Sequence, residues 1–222
     1  MMNLATEIGP TKFDWWPDWK SEAVVIIACG PSAPSVPLDG LKGKVKFVGI
    51  KEAFVKFCPW GDAAYGCDAP WWVYKGGLPE FSGLKFCYDS KACDAFPGIK
   101  RVFIDDPASD KMLFEEPMKI GAGGNSGFQA VNLVVQFGCR RIGLVGFDMG
   151  DKAGRTHWYG RSNWPSANNP DETNFRRWRD ALSLASFDLK ALDVDVVNLS
   201  QASELKCFPK LSVDAMIERW GL

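Results

Sequence analysis

The first chemically informative stretch of the sequence is Gly30-Pro31-Ser32, which follows an apolar run. Residues 23–29, AVVIIAC, have the composition of a buried strand. In an open α/β sheet, ligands bind beyond the carboxyl ends of the strands. A glycine there lets a ligand approach the backbone closely, and a serine offers a hydroxyl and an N–H to a phosphate. The stretch predicts a phosphate-binding turn or a plain turn, because it matches neither GxGxxG nor the Walker loop.

A second candidate anion site is the glycine cluster at residues 121–127, GAGGNSG, which opens a helical pattern. The first N–H groups of a helix lack intrahelical partners, and the positive end of the helix dipole lies there, so helix starts bind anions. Asn125 or Ser126 is also a suitable N-cap. Because capping does not require four glycines, we predict that Gly124, Asn125, Ser126 and Gly127 contact a ligand.

Three ionisable side chains lie where they can act on such a ligand. Asp148 follows the apolar run LVGF, and its carboxylate can orient a sugar hydroxyl, bind a metal or cap the loop. His157 is the only histidine, and its ordinary pKa near 6.5 suits a base at neutral pH. Asp68 closes another apolar run and precedes Trp71 and Trp72, whose rings either stack on a ligand or anchor a helix to the core.

His157 belongs to a long polar segment, residues 150–172, which we call the lid loop. A loop of this length in a compact domain is usually functional or disordered. Trp158, Tyr159 and Trp164 lie within it and favour order. We therefore predict that the lid loop covers or binds the ligand.

An alternation of strands and helices must position these residues. Short apolar runs predict strands at 23–29, 46–50, 63–67, 84–88, 101–105, 141–147 and 195–199. Helical patterns occur at 127–137, where Ala130, Val131, Val134 and Val135 form one stripe, at 172–192 and at 213–220. The alternation predicts an α/β fold with a single Rossmann-like, doubly wound, mostly parallel sheet spanning residues 23–222. Residues 1–22 are predicted to be a strap over this domain or a surface for a partner.

Composition narrows the classes of function. The 222 residues carry a net charge of −1, which disfavours a protein that grips nucleic acid mainly through its phosphates. No apolar run is long enough to span a membrane, and residues 1–22 lack the pattern of a signal peptide. Seven cysteines without a CxxC pair are typical of a reducing compartment, so we expect a cytoplasmic protein with no metal site.

Several of these segments together resemble a known family. They are GPS after the first strand, YGCDAPWW, GGNSGFQAVNLVVQFGCRRIGLVGFDM, THWYG and SELKCFPK, between residues 23 and 210. The sequence resembles a family of mostly phage-encoded proteins distantly related to small bacterial sialyltransferases and to 6-hydroxymethylpterin pyrophosphokinase-like proteins. The GGNSGFQA…GFDM block is the most specific part of this resemblance.

The resemblance implies a nucleotide-sugar donor bound without a metal. Gly30, Pro31 and Ser32 would contact the nucleotide, Asp68 would match an asparagine that holds the donor, and Ser126 and Gly127 would match a Ser-Gly pair on nucleotide and sugar. The catalytic base of the sialyltransferases would align near Arg161, and His157 would match a neighbouring histidine.

Two further positions depart from the sialyltransferases. Lys51 stands where an asparagine follows the second strand, and a glycine, near Gly123, replaces an arginine. These departures disfavour sialic acid as the donor sugar.

The sequence thus predicts a nucleotide-sugar-dependent glycosyltransferase. His157 or Asp148 would deprotonate the acceptor, and Lys51 with the glycine-rich N–H groups would stabilise the leaving phosphate. Trp158, Tyr159 and Arg161 would face the acceptor, which is a hydroxymethylated DNA base or a glycan.

Two alternatives remain open at this point. One is an Mg²⁺-dependent pyrophosphokinase acting on a hydroxymethyl compound, with Asp148 and Asp68 on the metal. The other is a non-enzymatic nucleotide-binding phage module, because a fold does not fix a function. The sequence does not predict the oligomeric state.

Overall fold

The computed structural model describes residues 13–222, which contain one seven-stranded sheet. Its strands are β1 (Ala23–Ile27), β2 (Lys46–Ile50), β3 (Ala63–Tyr65), β4 (Leu84–Cys87), β5 (Lys100–Arg101), β6 (Arg141–Val145) and β7 (Asp195–Asn198). The strand order is β5-β4-β3-β2-β1-β6-β7, and every neighbouring pair is parallel. The predicted fold class is confirmed, with a sheet that is parallel throughout the described residues.

Six α-helices accompany the sheet in the described part of the chain. They are α1 (Glu52–Phe57), α2 (Ala69–Tyr74), α3 (Ser90–Ala95), α4 (Ser126–Gln136), α5 (Glu172–Ala191) and α6 (Val213–Trp220). The predicted helices at 127–137, 172–192 and 213–220 correspond to α4, α5 and α6. The helix α5 begins where predicted because Asp171 and Asn174 form a reciprocal capping box.

The chain reverses its direction of travel across the sheet between β1 and β6. From β1 it proceeds through β2, β3, β4 and β5 on one side, and it then returns to pair β6 with the other side of β1. Such a reversal leaves a crevice at the carboxyl ends of the two strands, where ligands bind in doubly wound folds. Gly30 and Asp148 follow these two strands.

Side chains of β1 alternate between two apolar layers. Val24 and Ile26 pack in a cluster that includes residues of α4 and α5, whereas Val25 and Ile27 pack in one that includes residues of α1, α2 and α6. All residues of β1 are buried. Helices therefore cover both faces of the central strands, which explains their nearly continuous apolar runs.

The helix α4 differs from the amphipathic helix that its stripe predicts, because all of its residues are buried. Its polar side chains bind the segment before it. Asn132 accepts hydrogen bonds from the N–H groups of Leu113 and Gly121, and Gln136 accepts one from the N–H of Met118. The polar side of the helix therefore does not face solvent. Its buried amides form hydrogen bonds with the neighbouring segment instead.

Several predicted strands are too long. The run at 101–105 forms only the two-residue strand β5, followed by a single parallel bridge between Phe103 and Lys119. The runs at 23–29, 63–67 and 141–147 also end early, because the chain turns into the crevice after β1, β3 and β6. Apolar character continues past the last ladder residue in each case, so composition alone overestimates these strands.

The predicted N-terminal strap lies only partly within the described residues, since 1–12 are outside them. Trp16 and Trp19 pack edge-on against Phe137, and Trp15 contacts Phe86. The Trp19 N–H also donates to the Phe137 carbonyl oxygen at 2.8 Å. Within residues 13–222, no helix combines the length and the apolar character that crossing a membrane requires.

Candidate functional site

A cavity lies at the crevice between the carboxyl ends of β1 and β6. Its walls come from the ends of β1, β2, β3 and β6, the first turn of α4, the lid loop and the first turns of α5. The predicted site residues in the lining are Gly30, Lys51, Asp68, Gly124, Asn125, Ser126, Gly127, Asp148, His157 and Tyr159. The turn after β1, the start of α4 and the lid loop are far apart in sequence and meet around this cavity. The roles assigned to their residues remain predictions.

The turn after β1 is packed against the residues that follow β6. A Cβ on Gly30 would lie 2.1 Å from Asp148 Oδ2 and 2.3 Å from the Gly146 carbonyl oxygen, so only glycine fits. The N–H and the hydroxyl of Ser32 donate to the same Asp148 oxygen at 3.1 and 2.8 Å. The sequence analysis predicted that the N–H and hydroxyl of Ser32 bind a phosphate, but both groups form hydrogen bonds within the protein. Neither Pro31 nor Ser32 lines the cavity.

Asp148 is a buried carboxylate that lines the cavity. Its side chain is held by Ser32 through Oδ2, whereas its Oδ1 is buried without a hydrogen-bond partner. Burial raises the pKa of Asp148 above its ordinary value, although the hydrogen bonds from Ser32 favour the charged form. The site therefore contains an acceptor oxygen whose bonding is incomplete.

Lys51 and Asp68 form an ion pair across the ends of β2 and β3. Lys51 has a left-handed backbone with φ 48°, an uncommon conformation for a residue with a side chain. Burial favours the neutral amine, but the adjoining Asp68 carboxylate raises the pKa of Lys51 above its usual range. Burial likewise opposes the charge of Asp68, and Lys51 holds the pKa of that carboxyl below its ordinary value. Both side chains are therefore charged at neutral pH.

Asp68 also leaves one oxygen unpaired. Its Oδ2 accepts from Lys51 and from the Cys67 thiol, which lies at 3.2 Å. Its Oδ1 is buried and has no hydrogen-bond partner. Asp68 thus repeats the pattern of the carboxylate after β6, with one oxygen fixed and the other unsatisfied.

The start of α4 faces the cavity through a glycine-rich turn. Asn125 caps the helix, since its side-chain oxygen accepts the Phe128 N–H at 2.9 Å. A Cβ on Gly127 would lie 2.8 Å from the Phe147 ring, so this glycine allows the helix to approach β6. The N–H groups of Ser126 and Gly127 lie in the first turn, where no intrahelical carbonyl can pair with them. This turn can bind an anion through backbone N–H groups.

The lid loop brings His157 and Tyr159 into the lining. Their rings stack with centroids 5.0 Å apart and planes 6° apart. Burial, with a smaller contribution from the Lys51 charge, lowers the pKa of His157 to about 4. The Thr156 hydroxyl lies 3.2 Å from His157 Nδ1, and a hydrogen bond with the Gly160 backbone partly offsets the lowering of the His157 pKa. His157 is therefore a neutral base at pH 7.

Two other predicted residues of the lid loop are not in the lining. The ring of Trp158 packs against Phe57 at 5.2 Å, and its backbone N–H donates to the Cys29 carbonyl oxygen at 3.0 Å. Trp158 thus anchors the loop across the end of β1. Arg161 is exposed and lies outside the lining, whereas Trp164 is buried at the cavity wall.

The first turns of α5 form a wall that the sequence analysis did not assign to the site. Phe175 and Trp178 line the cavity edge-on to each other at 5.5 Å. The Trp178 indole N–H donates to the Gly124 carbonyl oxygen at 2.9 Å, which ties α5 to the glycine turn. The sequence analysis includes both residues only in the helical pattern at 172–192, and their position directly after the lid loop is the signal that could have indicated a site.

No group of three or more His, Cys, Asp or Glu side chains that could hold a metal ion occurs among residues 13–222. Asp68 and Asp148 are the carboxylates that line the cavity within this part of the chain. They follow β3 and β6, which are separated in the sheet by β2 and β1.

Comparison with known proteins found similarity to solved structures. No family model matches the chain, and no curated protein matches it. The sialyltransferase CstII from Campylobacter jejuni in complex with cytidine-5'-monophosphate is similar, with a TM-score of 0.55, 13% identity, and 86% of this chain and 85% of that chain covered.

Two further sialyltransferase structures are similar to the chain. The Campylobacter jejuni CstII complex with the substrate analogue CMP-3FNeuAc has a TM-score of 0.52 and 12% identity, and the alignment covers 86% of each chain. The complex of CST-II with a trisaccharide acceptor and CMP has a TM-score of 0.52 and 13% identity, again with 86% of each chain covered. At these identities the likeness establishes a shared fold over most of the chain.

Proposed function

We propose that this protein is a glycosyltransferase that uses a nucleotide sugar as donor and needs no metal ion. The observation that carries the proposal is the convergence of the α4 start, the charged Lys51 and the neutral His157 on one cavity at the switch point of the sheet. The shared fold with structures of a sialyltransferase bound to CMP and to a CMP-sugar analogue supports a donor of this class.

The phosphate of the donor would lie at the first turn of α4. The free N–H groups of Ser126 and Gly127 and the dipole of the helix favour a negative charge there. The pKa of Lys51 is raised, so this side chain remains charged at neutral pH and can neutralise the charge that develops on the leaving phosphate. Fixed backbone dipoles and a lysine thus take the part that a metal plays in other transferases.

His157 would act as the general base. The acceptor O–H gives its proton to Nε2, the acceptor oxygen bonds to the anomeric carbon, and the bond from that carbon to the phosphate oxygen breaks with its electron pair going to the phosphate. Burial holds the pKa of His157 at about 4. A bound phosphate brings a negative charge close to the ring and raises this pKa, so the donor itself makes His157 a stronger base.

The cavity is smaller than a typical site for a ligand of the size of a nucleotide sugar. The cavity has a volume of about 200 Å³, which is below the roughly 300–1,000 Å³ of typical small-molecule sites. Trp158 and Trp164 hold the loop against the domain. We infer that this loop moves outwards to admit a nucleotide sugar and closes again before transfer.

A glycan is the acceptor class we favour, since a structure with the same fold holds a trisaccharide acceptor. The resemblance of the sequence to phage-encoded proteins adds a finer proposal, a hydroxymethylated DNA base. Such a base would have to leave the duplex to reach the cavity.

The test is consumption of nucleotide sugars in the presence of EDTA. CMP-, UDP- and GDP-sugars are incubated separately with the protein, and released nucleotide is measured with and without oligosaccharides or DNA containing hydroxymethylcytosine. We expect one donor class to be consumed, faster with its acceptor. The variant His157→Gln should lose about 100-fold or more, and Arg155→Gln, an exposed change in the same loop, should retain full activity.

A protein that consumes no nucleotide sugar in this assay could instead be the pyrophosphokinase. That enzyme would leave every nucleotide sugar intact and consume ATP with Mg²⁺ and a hydroxymethyl compound. The observation in its favour is that Asp68 and Asp148 each have an incompletely bonded oxygen in the lining; because β2 and β1 separate the strands they follow, one Mg²⁺ ion could bind only one of them. EDTA would then abolish all activity.

A further inference from the structure

A tight turn in the lid loop places the side chain of Tyr159 beside that of His157. The turn is closed by the Gly160 N–H, which donates to the His157 carbonyl oxygen at 3.0 Å, and Gly160 has a φ of 91°, a left-handed value that suits glycine. The rings of His157 and Tyr159 both line the cavity and stack with centroids 5.0 Å apart and planes 6° apart. The imidazole of the proposed base therefore packs against a phenol ring.

The outer end of Tyr159 is bonded within the protein. Its hydroxyl lies 3.0 Å from the Ser162 hydroxyl, which is hydrogen-bond distance. Burial raises the pKa of Tyr159 above its ordinary value, so the phenol is neutral at pH 7 and can donate or accept this bond. Trp158 packs edge-on against the same ring with centroids 5.1 Å apart. These contacts together restrict the orientation of the Tyr159 ring.

Ser162 is in turn held by the side chain of Asn169. The Ser162 N–H donates to Asn169 Oδ1 at 2.7 Å, and Asn169 Nδ2 donates to the Ser162 carbonyl oxygen at 3.1 Å. One amide thus pairs with both backbone groups of Ser162, much as a neighbouring strand would. A chain of contacts from Asn169 through Ser162 and Tyr159 to His157 therefore lies wholly within the lid loop.

We propose that Tyr159 is a positioning residue, which holds the imidazole of His157 in the orientation that removes the acceptor proton. The inference rests on the proposed function, in which His157 is the base, and adds the residues that orient it. A general base acts when its nitrogen lies within hydrogen-bond distance of the proton it removes, so the orientation of the ring affects the rate. The sequence analysis predicted that Tyr159 faces the acceptor, whereas its contacts with His157 and Ser162 favour this supporting role.

A base on a loop that moves needs a support that moves with it. His157 lies in the lid loop, which we infer to open and close, so no strand or helix carries its side chain. Tyr159, Ser162 and Asn169 belong to the same loop and can keep their contacts while it moves. The imidazole then reaches the closed state already oriented, which is the advantage of preorganised catalytic groups.

The test compares variants of Tyr159 in steady-state kinetics, with the nucleotide sugar and the acceptor that the wild type consumes. Tyr159→Leu removes the ring, whereas Tyr159→Phe keeps the ring and removes the hydroxyl. The matched control is Tyr88→Phe, the same change at an exposed tyrosine outside the lining. Urea unfolding of each variant shows whether it is folded under the assay conditions.

We expect Tyr159→Leu to lower kcat about ten- to hundredfold, because the reacting group loses its orientation, and to leave the KM of the acceptor close to its wild-type value. Tyr159→Phe should lower kcat by about two- to tenfold, the effect of one hydrogen bond. Ser162→Ala should match Tyr159→Phe, and the double variant should be no slower than either single variant, because both changes remove the same bond. Tyr88→Phe should leave kcat and KM unchanged.

NMR spectra give a readout of the stacked rings that does not depend on activity. Since His157 is the only histidine, its imidazole gives a single set of resonances. These resonances should shift in Tyr159→Leu, which removes the neighbouring ring, and should stay unchanged in Tyr88→Phe. Unchanged resonances in Tyr159→Leu would show that the two rings do not stack in solution, and the inference would then be wrong.

Three kinetic results would also overturn the inference. One is a folded Tyr159→Leu protein with the wild-type kcat. Another is a raised KM of the acceptor with an unchanged kcat, which would make Tyr159 an acceptor contact. The third is a double variant whose loss is the sum of the two single losses. Failure of the proposed function is a different outcome, because the wild type itself would then consume no nucleotide sugar.

Discussion

His157 provides a sharp test of the electrostatics of the cavity, because it is the only histidine of the chain. Burial lowers the pKa of its imidazole from 6.5 to about 4. The unfolded chain therefore binds more protons than the folded protein between these two pH values. The free energy of unfolding consequently contains a contribution from His157 that is present above pH 6.5 and is lost as the pH falls towards 4. The gap corresponds to about 3 kcal/mol, at about 1.4 kcal/mol per pH unit.

The perturbation is His157→Gln, which removes the titrating group and keeps a polar side chain. Urea unfolding of the wild type and the variant at pH 7 and pH 4 gives the free energies of unfolding. The wild type should lose about 3 kcal/mol more than the variant on acidification, since the carboxylates titrate alike in both proteins. In NMR spectra, the single imidazole should titrate near pH 4 in the wild type. An imidazole that titrates near pH 6.5, or equal acid sensitivity of the two proteins, would refute this account of His157.

Three further changes test separate contacts of the site. Gly30→Ala should lower the free energy of unfolding by about 1–3 kcal/mol, because its Cβ would lie 2.1 Å from a carboxylate oxygen, whereas Gly40→Ala, with no atom within 4 Å, should not; equal urea midpoints would contradict this packing. Lys51→Met should raise the pKa of His157, because the lysine charge lowers it. The same variant should weaken phosphate binding about tenfold or more. An unchanged His157 titration and unchanged phosphate binding by calorimetry would contradict the position of Lys51 in the cavity. Asn125→Ala should cost about 1 kcal/mol as the loss of an N-cap, and an unchanged unfolding curve would show that its bond to the Phe128 N–H does not stabilise α4.

The sequence was sufficient to predict the fold class and the strands that flank the cavity. Apolar runs at 23–29 and 141–147 that end in Gly30 and Asp148 predict parallel strands with polar residues at their carboxyl ends. Since the carboxyl ends of parallel strands meet at one edge of the sheet, residues 30 and 148 were expected to lie near each other. The spacing of the apolar residues and the positions of the glycines are enough for this prediction, and no contact between distant residues has to be known.

The contacts within the cavity could not be predicted in this way. Ser32 is separated by more than a hundred residues from Asp148, its partner, and no local pattern pairs them. The same holds for Trp178, whose indole N–H binds the Gly124 carbonyl oxygen. The lowered pKa of His157 depends on how deeply the lid loop is buried, and sequence spacing contains no information about burial.

The most direct test of the account is a crystal structure of the protein with the nucleoside monophosphate that binds it most tightly. The account predicts electron density in the cavity between β1 and β6, with the phosphate within hydrogen-bond distance of the N–H groups of Ser126 or Gly127. A nucleotide bound at another surface, or one whose phosphate lies away from the start of α4, would contradict it.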